Sequence, residues 1–169
     1  MESLEQHNQP KKGINKIFIV ALLAAVLLVA GGIGLWSLRP SIAGIEEEAL
    51  TGAYREGSPE FEELTKRILV KPDMSRTTES PTALGTVMMA IPATIHNRSD
   101  KTLTTVEVNV SVVDQKGKVI KEKTYLVVPK QQLFLGPNQA LNTTAVVEGF
   151  EPTDDRANVK WKVTAIKTE

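Results

Sequence analysis

The stretch that decides the fold is LTTVEVNVSVV, residues Leu103–Val113. Apolar and polar side chains alternate along it: Val106, Val108, Val110 and Val112 on one side, Glu107, Asn109 and Ser111 on the other. A period of two residues is typical of a β-strand that buries one face and exposes the other. The stretch therefore predicts a half-buried strand in an antiparallel sheet.

The residues that follow predict the partner of this strand. Asp114-Gln115-Lys116-Gly117 has the composition of a hairpin turn, because Gly117 can adopt the positive φ that such turns require. Similar short runs of β-forming residues, separated by polar turns, predict the other strands: Thr86–Ile95, Val119–Val128, Gln139–Val147 and Asn158–Ile166. Several short strands joined by turns predict a mainly β protein, an immunoglobulin-like antiparallel β-sandwich.

Three positions add detail to this sandwich. Pro92 predicts an edge strand or a bulge, because proline cannot donate to a sheet. Trp161 is predicted to share one face of its strand with Val159 and Val163 and is expected in the core between the sheets. Leu133–Asn138 is expected to make an apolar contact followed by a turn.

Residues 39–65 predict a helical connector. Ser41–Arg55 has apolar residues at helical spacing, and Ser58-Pro59 is a helix-start signal. A first strand is expected at Lys66–Lys71, and the polar stretch Asp73–Ala83 is expected to be a loop.

The N-terminal part contains a long apolar run. Ile17–Leu38, IFIVALLAAVLLVAGGIGLWSL, has no charged residue, and as a helix it would be about 33 Å long, enough to cross a hydrocarbon core of about 30 Å. Lysines 11, 12 and 16 precede it, so the positive-inside rule places the N-terminus in the cytoplasm. The predicted organisation is a cytoplasmic tail (1–16), a transmembrane helix (17–38), the connector (39–65) and an extracytoplasmic β-sandwich (66–169) on the inner (plasma) membrane.

Two other interpretations of the apolar run remain open. A cleaved signal peptide also starts with lysines, and Ser41-Ile42-Ala43 fits a cleavage site, but its apolar region is usually shorter. A pilin-like signal is disfavoured, because Phe18 stands where pilins carry glutamate and Pro40 interrupts the helix. The chain has no cysteine, so a lipoprotein anchor is excluded.

Composition excludes several functions. The chain has 20 basic and 20 acidic residues and a formal net charge of zero, so no basic field for nucleic acid is expected. Without cysteine and with two histidines it cannot build a zinc site or a cysteine nucleophile. His96 is interpreted as a turn residue, and Glu151, Asp154 and Asp155 lack the spacing of an EF-hand. We therefore expect no enzyme activity, no metal site and no cofactor.

The order of these motifs resembles a bacterial family. Ile95-His96-Asn97-Arg98-Ser99 is followed by a strand ending in Asp114, by Gly117-Lys118-Val119 and by Leu135-Gly136-Pro137. This pattern is similar to FxLYD-type and related immunoglobulin-like domains of unknown function, over roughly residues 66–167. Val110–Asp114 keeps only the aspartate of the F-x-L-Y-D signature. The resemblance implies a membrane-attached, non-enzymatic, extracytoplasmic module and supplies no catalytic residues.

Three classes of function remain. The first is a membrane-anchored interaction or accessory protein that binds another membrane or envelope protein. The second is a structural or stress-protective envelope protein without a specific partner, and the third, disfavoured, is an enzyme or small-ligand binder. For the first class, contacts are expected in the transmembrane helix, in two loops and at the edge near Pro92. In the helix the expected contact residues are Ala30 and Gly34, because small residues four apart allow close helix packing. In the loops they are Asp114, Gly117, Asp154 and Asp155. The oligomeric state stays open.

Overall fold

The structure is a computed structural model that describes residues 16–37 and 42–169, and in its first helix the side chains of residues 19–22 and 24–32. The chain divides into two compact units at residues 41 and 42. The predicted tail up to residue 15 and the segment 38–41, with Leu38, Pro40 and Ser41, lie outside the described residues.

The first unit contains one helix. Helix α1, Lys16–Ser37, is 22 residues long and covers most of the predicted transmembrane segment. Its described side chains are exposed, including Leu28 and Ala30. Counting only the residues whose side chains are described, no helix is long and apolar enough to cross a membrane.

The second unit, residues 42–169, is mainly β. It contains two α-helices, one 3₁₀ turn (Met74–Arg76) and eight strands. The helices are α2 (Ile42–Leu50) and α3 (Pro59–Thr65), and the strands are β1 (Tyr54–Arg55), β2 (Ile68–Pro72), β3 (Thr78–Pro81), β4 (Val87–Asn97), β5 (Leu103–Val113), β6 (Val119–Val128), β7 (Ala140–Phe150) and β8 (Asn158–Thr168).

The strands form two antiparallel sheets around one core. The first sheet has the order β1-β8-β5-β6. In the second, β4 pairs with β7 on one edge and with both β2 and β3 on the other. Both sheets contribute to one apolar cluster, whose fully buried members include Ile91, Ile95, Val106, Val108, Val110, Val112 and Phe150. The predicted antiparallel, mainly β class is confirmed.

Strand β5 is more deeply buried than its alternation predicted. It pairs with β6 on one edge and β8 on the other, and its predicted outer face is also largely covered, with Glu107 only 8% exposed. Helix α2 packs beside this face, where the Thr105 hydroxyl donates to the carbonyl of Ala49 at 2.8 Å. A single strand pattern cannot reveal a helix that covers its polar side.

Pro92 lies in a central strand, so the predicted edge strand is wrong. Strand β4 pairs with β7 along its length, and Pro92 lies opposite Thr144. On the other edge the carbonyl of Pro92 accepts a hydrogen bond from Asp73 N at 2.8 Å, at the gap between β2 and β3. A strand residue's N–H points to the same side as its carbonyl, so the missing donor of proline falls in this gap.

The predicted connector contributes to the core of the second unit. Ser58 caps α3 by accepting from Phe61 N at 3.3 Å, which confirms the predicted helix start. Phe61 and Leu64 are buried, and Tyr54 packs against the core. The boundary at residue 65 stays a prediction, but these apolar side chains make residues 54–65 part of the folded unit. The predicted loop Asp73–Ala83 also contains strand β3.

The strands place the connecting loops at two opposite ends of this unit. Register pairs such as Val113 with Asn158, and Leu103 with Thr168, fix which strand termini lie together. One end, here called the α2 end, carries α2 and the loops 98–102 and 129–139. The opposite end, here called the loop face, carries the loops 82–86, 114–118 and 151–157.

Candidate interaction face

The loop face brings together two of the loops that the sequence singled out. The backbone N–H of Gln115 donates to Oδ2 of Asp155 at 3.1 Å. Next to it Ala157 N donates to the carbonyl of Val113 at 3.0 Å. The predicted contact residues Asp114, Gly117, Asp154 and Asp155 therefore lie on one surface. Their proximity follows from the pairing of β5 with β8, which sequence patterns do not specify.

The loop 114–118 is held by its first residue. Oδ1 of Asp114 accepts from the backbone N–H groups of Lys116 at 2.9 Å and Lys118 at 2.8 Å. Gly117 has φ +81°, a conformation that glycine adopts without a steric cost. The predicted hairpin turn is thus confirmed, and the Asp114 carboxylate stabilises it.

The loop 151–157 is held in the same way. Oδ2 of Asp154 accepts from Glu151 N at 2.7 Å. The guanidinium of Arg156 donates to the carbonyl oxygens of Glu151 and Asp154 at 3.0 and 3.1 Å. These bonds satisfy backbone groups inside the loop and fix its shape.

Arg156 also joins this loop to strand β3. Its Nε and Nη2 donate to the two carboxylate oxygens of Glu79 at 3.2 and 2.9 Å. Hydrogen bonding to Glu79 raises the pKa of Arg156 above its ordinary value, and its guanidinium lies 5.8 Å from the ring centre of Phe150. Sequence patterns do not reveal the role of Arg156, because its partner Glu79 is 77 residues away in the chain.

The third loop presents an exposed apolar side chain. Thr82 N donates to the carbonyl of Thr86 at 2.8 Å, and the two hydroxyl groups lie 2.7 Å apart, which closes the turn between β3 and β4. Leu84 at the tip is 90% exposed. The loop face therefore combines mixed charges with one projecting leucine.

The acidic residues of the loop face are engaged in its own backbone. Asp114, Asp154 and Asp155 each give at least one carboxylate oxygen to a loop N–H. An open groove of about 500 Å³ lies between the two loops and is lined by Asp114, Lys118, Val119, Ile120, Thr153, Asp154 and Asp155. Within residues 16–37 and 42–169 no cluster of three or more His, Asp or Glu side chains is arranged to hold a metal ion.

The two helical contact residues lie in the other unit. Ala30 and Gly34 are both in α1, four residues apart, and Ala30 is exposed. The side chains of residues 33–37 are outside the described set. His96, which was interpreted from the sequence as a turn residue, lies instead in strand β4 opposite Leu69 and Ala140, at the end of that strand away from the loop face.

Comparisons with known proteins show distant similarities to solved structures. No protein-family model matches the chain, and no curated protein matches it. A solved target of the Northeast Structural Genomics Consortium, SoR45, is 14% identical, with 62% of this chain and 87% of that chain covered and a TM-score of 0.39. The putative ApaA protein from Bordetella pertussis is 15% identical, with 60% and 90% covered and a TM-score of 0.37. The resemblance to FxLYD-type domains stays a prediction.

Proposed function

We propose that this chain is a single-pass membrane protein whose immunoglobulin-like, extracytoplasmic β-sandwich acts as a protein-interaction or accessory module without catalysis. The observation that carries the proposal is the loop face. The loop 151–157 is joined there to the loop 114–118 by the Gln115–Asp155 hydrogen bond and to strand β3, which leads into the loop 82–86, by the Arg156–Glu79 ion pair. A preorganised surface binds a partner with less ordering cost than flexible loops would.

Membrane attachment is supported by the sequence of residues 17–38. The run is uncharged, long enough to span, and preceded by lysines that favour a cytoplasmic N-terminus. The N-terminus of α2 begins four residues after this run. The loop face is at the end of the folded unit opposite α2, and we propose it as the surface that binds another membrane or envelope protein.

A binding role fits the side chains of the loop face better than catalysis does. The carboxylates of Asp114, Asp154 and Asp155 hold backbone groups, and neither histidine of the chain lies in its three loops. A general base or nucleophile requires a side chain that is free to exchange a proton or attack. Exposed residues such as Leu84, Lys116 and Thr153 are free to contact a partner.

The test is co-purification of the full chain from its native host in a mild detergent. We compare wild type with the double variant Lys116→Glu/Thr153→Arg, which changes two exposed side chains and leaves the internal hydrogen bonds of both loops intact. Lys71→Glu is the matched control, because Lys71 is exposed in β2 away from the loop face. We expect a partner at fixed stoichiometry with wild type and control, and loss of that partner with the double variant.

Two results would contradict the proposal. A partner that binds the double variant as well as wild type would locate the interaction elsewhere. A monomer or homo-oligomer with no partner, also after crosslinking in intact cells, would favour the structural or stress-protective envelope role instead.

A further inference from the structure

Strand β6 has an open edge along most of its length. In the first sheet, with the order β1-β8-β5-β6, it pairs with β5 and has no second neighbour among the described strands. Residues 119–125 are all exposed or half-buried, and Val119 is 46% exposed. An open edge presents unpaired backbone N–H and C=O groups, to which an extended segment of another chain can add as a further strand.

Two lysines of this edge lie on the core side of the sheet. Lys121 is opposite Val112 and Lys123 is opposite Val110 in the register with β5, and residues opposite each other in antiparallel strands share one face. Both valines are fully buried, whereas both lysines are exposed, because β6 is the outermost strand. An inward-pointing charge at a sheet edge disfavours the addition of an apolar strand.

The side chains of β6 also cover part of the neighbouring edge, that of β7. The hydroxyl of Tyr125 donates to the carbonyl of Val146 in β7, and Nζ of Lys123 donates to the same carbonyl at 3.4 Å. Nζ of Lys123 lies 5.4 Å from the ring centre of Tyr125. A lysine ammonium has three donors, so Lys123 keeps donors for a further acceptor. On this side of the unit the β6 edge is therefore the more accessible one.

The charge of the β6 edge decides which strand can be added. Lys121 and Lys123 are two residues apart and share a face, whereas Glu122 lies on the other face. A two-fold pairing of two β6 strands centred on residue 121, 122 or 123 would place a lysine opposite a lysine, and like charges directly opposite are destabilising. A second copy of this chain is thus disfavoured. A strand with acidic side chains at positions i and i+2 places one carboxylate opposite each ammonium.

The edge of β8 is less suited to the same role. Strand β1 occupies it at Ala165 and Ile166, and Lys162 forms an ion pair with Glu56 at 2.7 Å. Lys160 and Lys162 are nevertheless two exposed lysines at the same spacing. They therefore provide a matched control.

We propose that the β6 edge, residues 119–125, binds an extended segment of a protein partner by strand addition, and that this segment carries acidic side chains at alternate positions. Backbone hydrogen bonds supply affinity, and the pairing of carboxylates with Lys121 and Lys123 supplies selectivity. The inference does not rest on the loop face or on membrane anchoring, because all the contacts that carry it lie in and around β6.

Fluorescence anisotropy tests the proposal, with labelled peptides titrated with the full chain in detergent micelles. The probe is the peptide TVTETET, in which one valine and two glutamates share a face of an extended strand. In antiparallel pairing they lie opposite Tyr125, Lys123 and Lys121. The control peptide has lysine in place of both glutamates. Hydrogen exchange of residues 119–125 with and without the probe locates the bound strand.

Two charge-reversal variants are compared with wild type. Lys121→Glu/Lys123→Glu inverts the β6 edge, and Lys160→Glu/Lys162→Glu makes the same change of net charge on β8. We expect the glutamate peptide to bind wild type and the β8 variant, and to slow hydrogen exchange of the β6 edge. Its affinity for the β6 variant should fall by about ten-fold or more, because two attractive cross-strand pairs become repulsive. The lysine peptide should bind the β6 variant instead.

Three results would overturn this inference. They are no binding of the glutamate peptide to wild type, equal affinity for wild type and the β6 variant, and binding that leaves hydrogen exchange of residues 119–125 unchanged. The double variant of the loop face, used for co-purification, should bind the peptide as wild type does. Loss of the co-purified partner with intact peptide binding would concern the loop face alone, so the two proposals fail independently.

Discussion

The backbone N–H of Gln115 donates to Oδ2 of Asp155 across 3.1 Å and joins two loops that are 40 residues apart in the chain. Each loop is also closed internally, by Asp114 and by Asp154. The bond therefore links two loops that are each already ordered, and it defines their relative position on the loop face.

Asp155→Ala should separate the two loops locally with a small cost in global stability. Because Asp155 is exposed, we expect the free energy of unfolding to fall by less than about 1 kcal/mol. Hydrogen exchange of the Gln115 amide should become clearly faster. Asp155→Asn keeps an acceptor oxygen and serves as the control, so equal exchange rates in the two variants would contradict this role.

Asn97→Ala should destabilise the folded unit much more. It removes a buried amide that serves three carbonyl groups and the N–H of Ser99, and unsatisfied buried groups cost about 1–3 kcal/mol each. We expect a loss of at least about 2 kcal/mol in urea unfolding. Asn142→Ala, which removes an exposed hydrogen bond to Thr94, should cost far less. Similar losses in both variants would refute the assigned role of Asn97.

The sequence could predict strands and turns whose cause is local. Alternation specified β5 and most of β8, and Asp114 and Gly117 specified the turn between β5 and β6. Ser58 and Pro59 likewise specified the start of α3. Each of these features depends on neighbours within a few residues, so each is visible in a single sequence.

Features that depend on distant partners were missed or wrong. Pro92 predicted an edge strand, but it lies in a central strand at the gap between β2 and β3. This gap results from how the strands pair, so the residues around Pro92 do not reveal it. The structural role of Asn97 was not predicted, because its acceptors at Leu135 and Gly136 are 38 and 39 residues away. The contact between Arg156 and Glu79 was also not predicted, because these residues are 77 positions apart.

Trp161 is half-buried and packs against the core, and its buried Nε1–H has no hydrogen-bond partner among the described residues. Trp161→Ala should cost about 2–3 kcal/mol, somewhat less than for a fully buried aromatic side chain. Trp161→Phe removes the unsatisfied donor while keeping an aromatic ring, so we expect a cost below about 1 kcal/mol. Chemical denaturation checks both. If Trp161→Phe lowered the free energy of unfolding as much as Trp161→Ala does, the Nε1–H group would contribute to stability, which would contradict its unsatisfied state.

Tyr125 connects the exposed edges of the two sheets, with its hydroxyl donating to the carbonyl of Val146 at 2.5 Å. Burial, aided by the charge of Glu148, raises the pKa of Tyr125 to about 12. The neutral phenol is favoured in the folded state, so its stabilisation is complete below the ordinary pKa of about 10 and is lost as the pH rises from there towards 12. The stability advantage of wild type over Tyr125→Phe should shrink across that interval. A difference in stability that stays constant over this interval would show that the pKa of Tyr125 is not raised.

Ala30 and Gly34 lie four residues apart in α1, so they share one helix face. If this face mediates helix packing in the membrane, Ala30→Leu/Gly34→Leu should weaken the complex, because small residues permit close backbone approach. The size of the detergent-extracted complex measures this effect, with Leu28→Ala as a control elsewhere in α1. Unchanged size in the double variant would exclude a contact through this face.

The central claim, a folded unit held outside the membrane with its loop face accessible, is tested most directly by cysteine accessibility in spheroplasts. Thr153→Cys places one thiol on the loop face and Ser3→Cys places one in the predicted tail. We predict that a membrane-impermeant maleimide labels Thr153→Cys in sealed spheroplasts and labels Ser3→Cys only after lysis. Labelling of Thr153→Cys that requires lysis, or release of the wild-type protein from membranes by alkaline carbonate, would contradict the account.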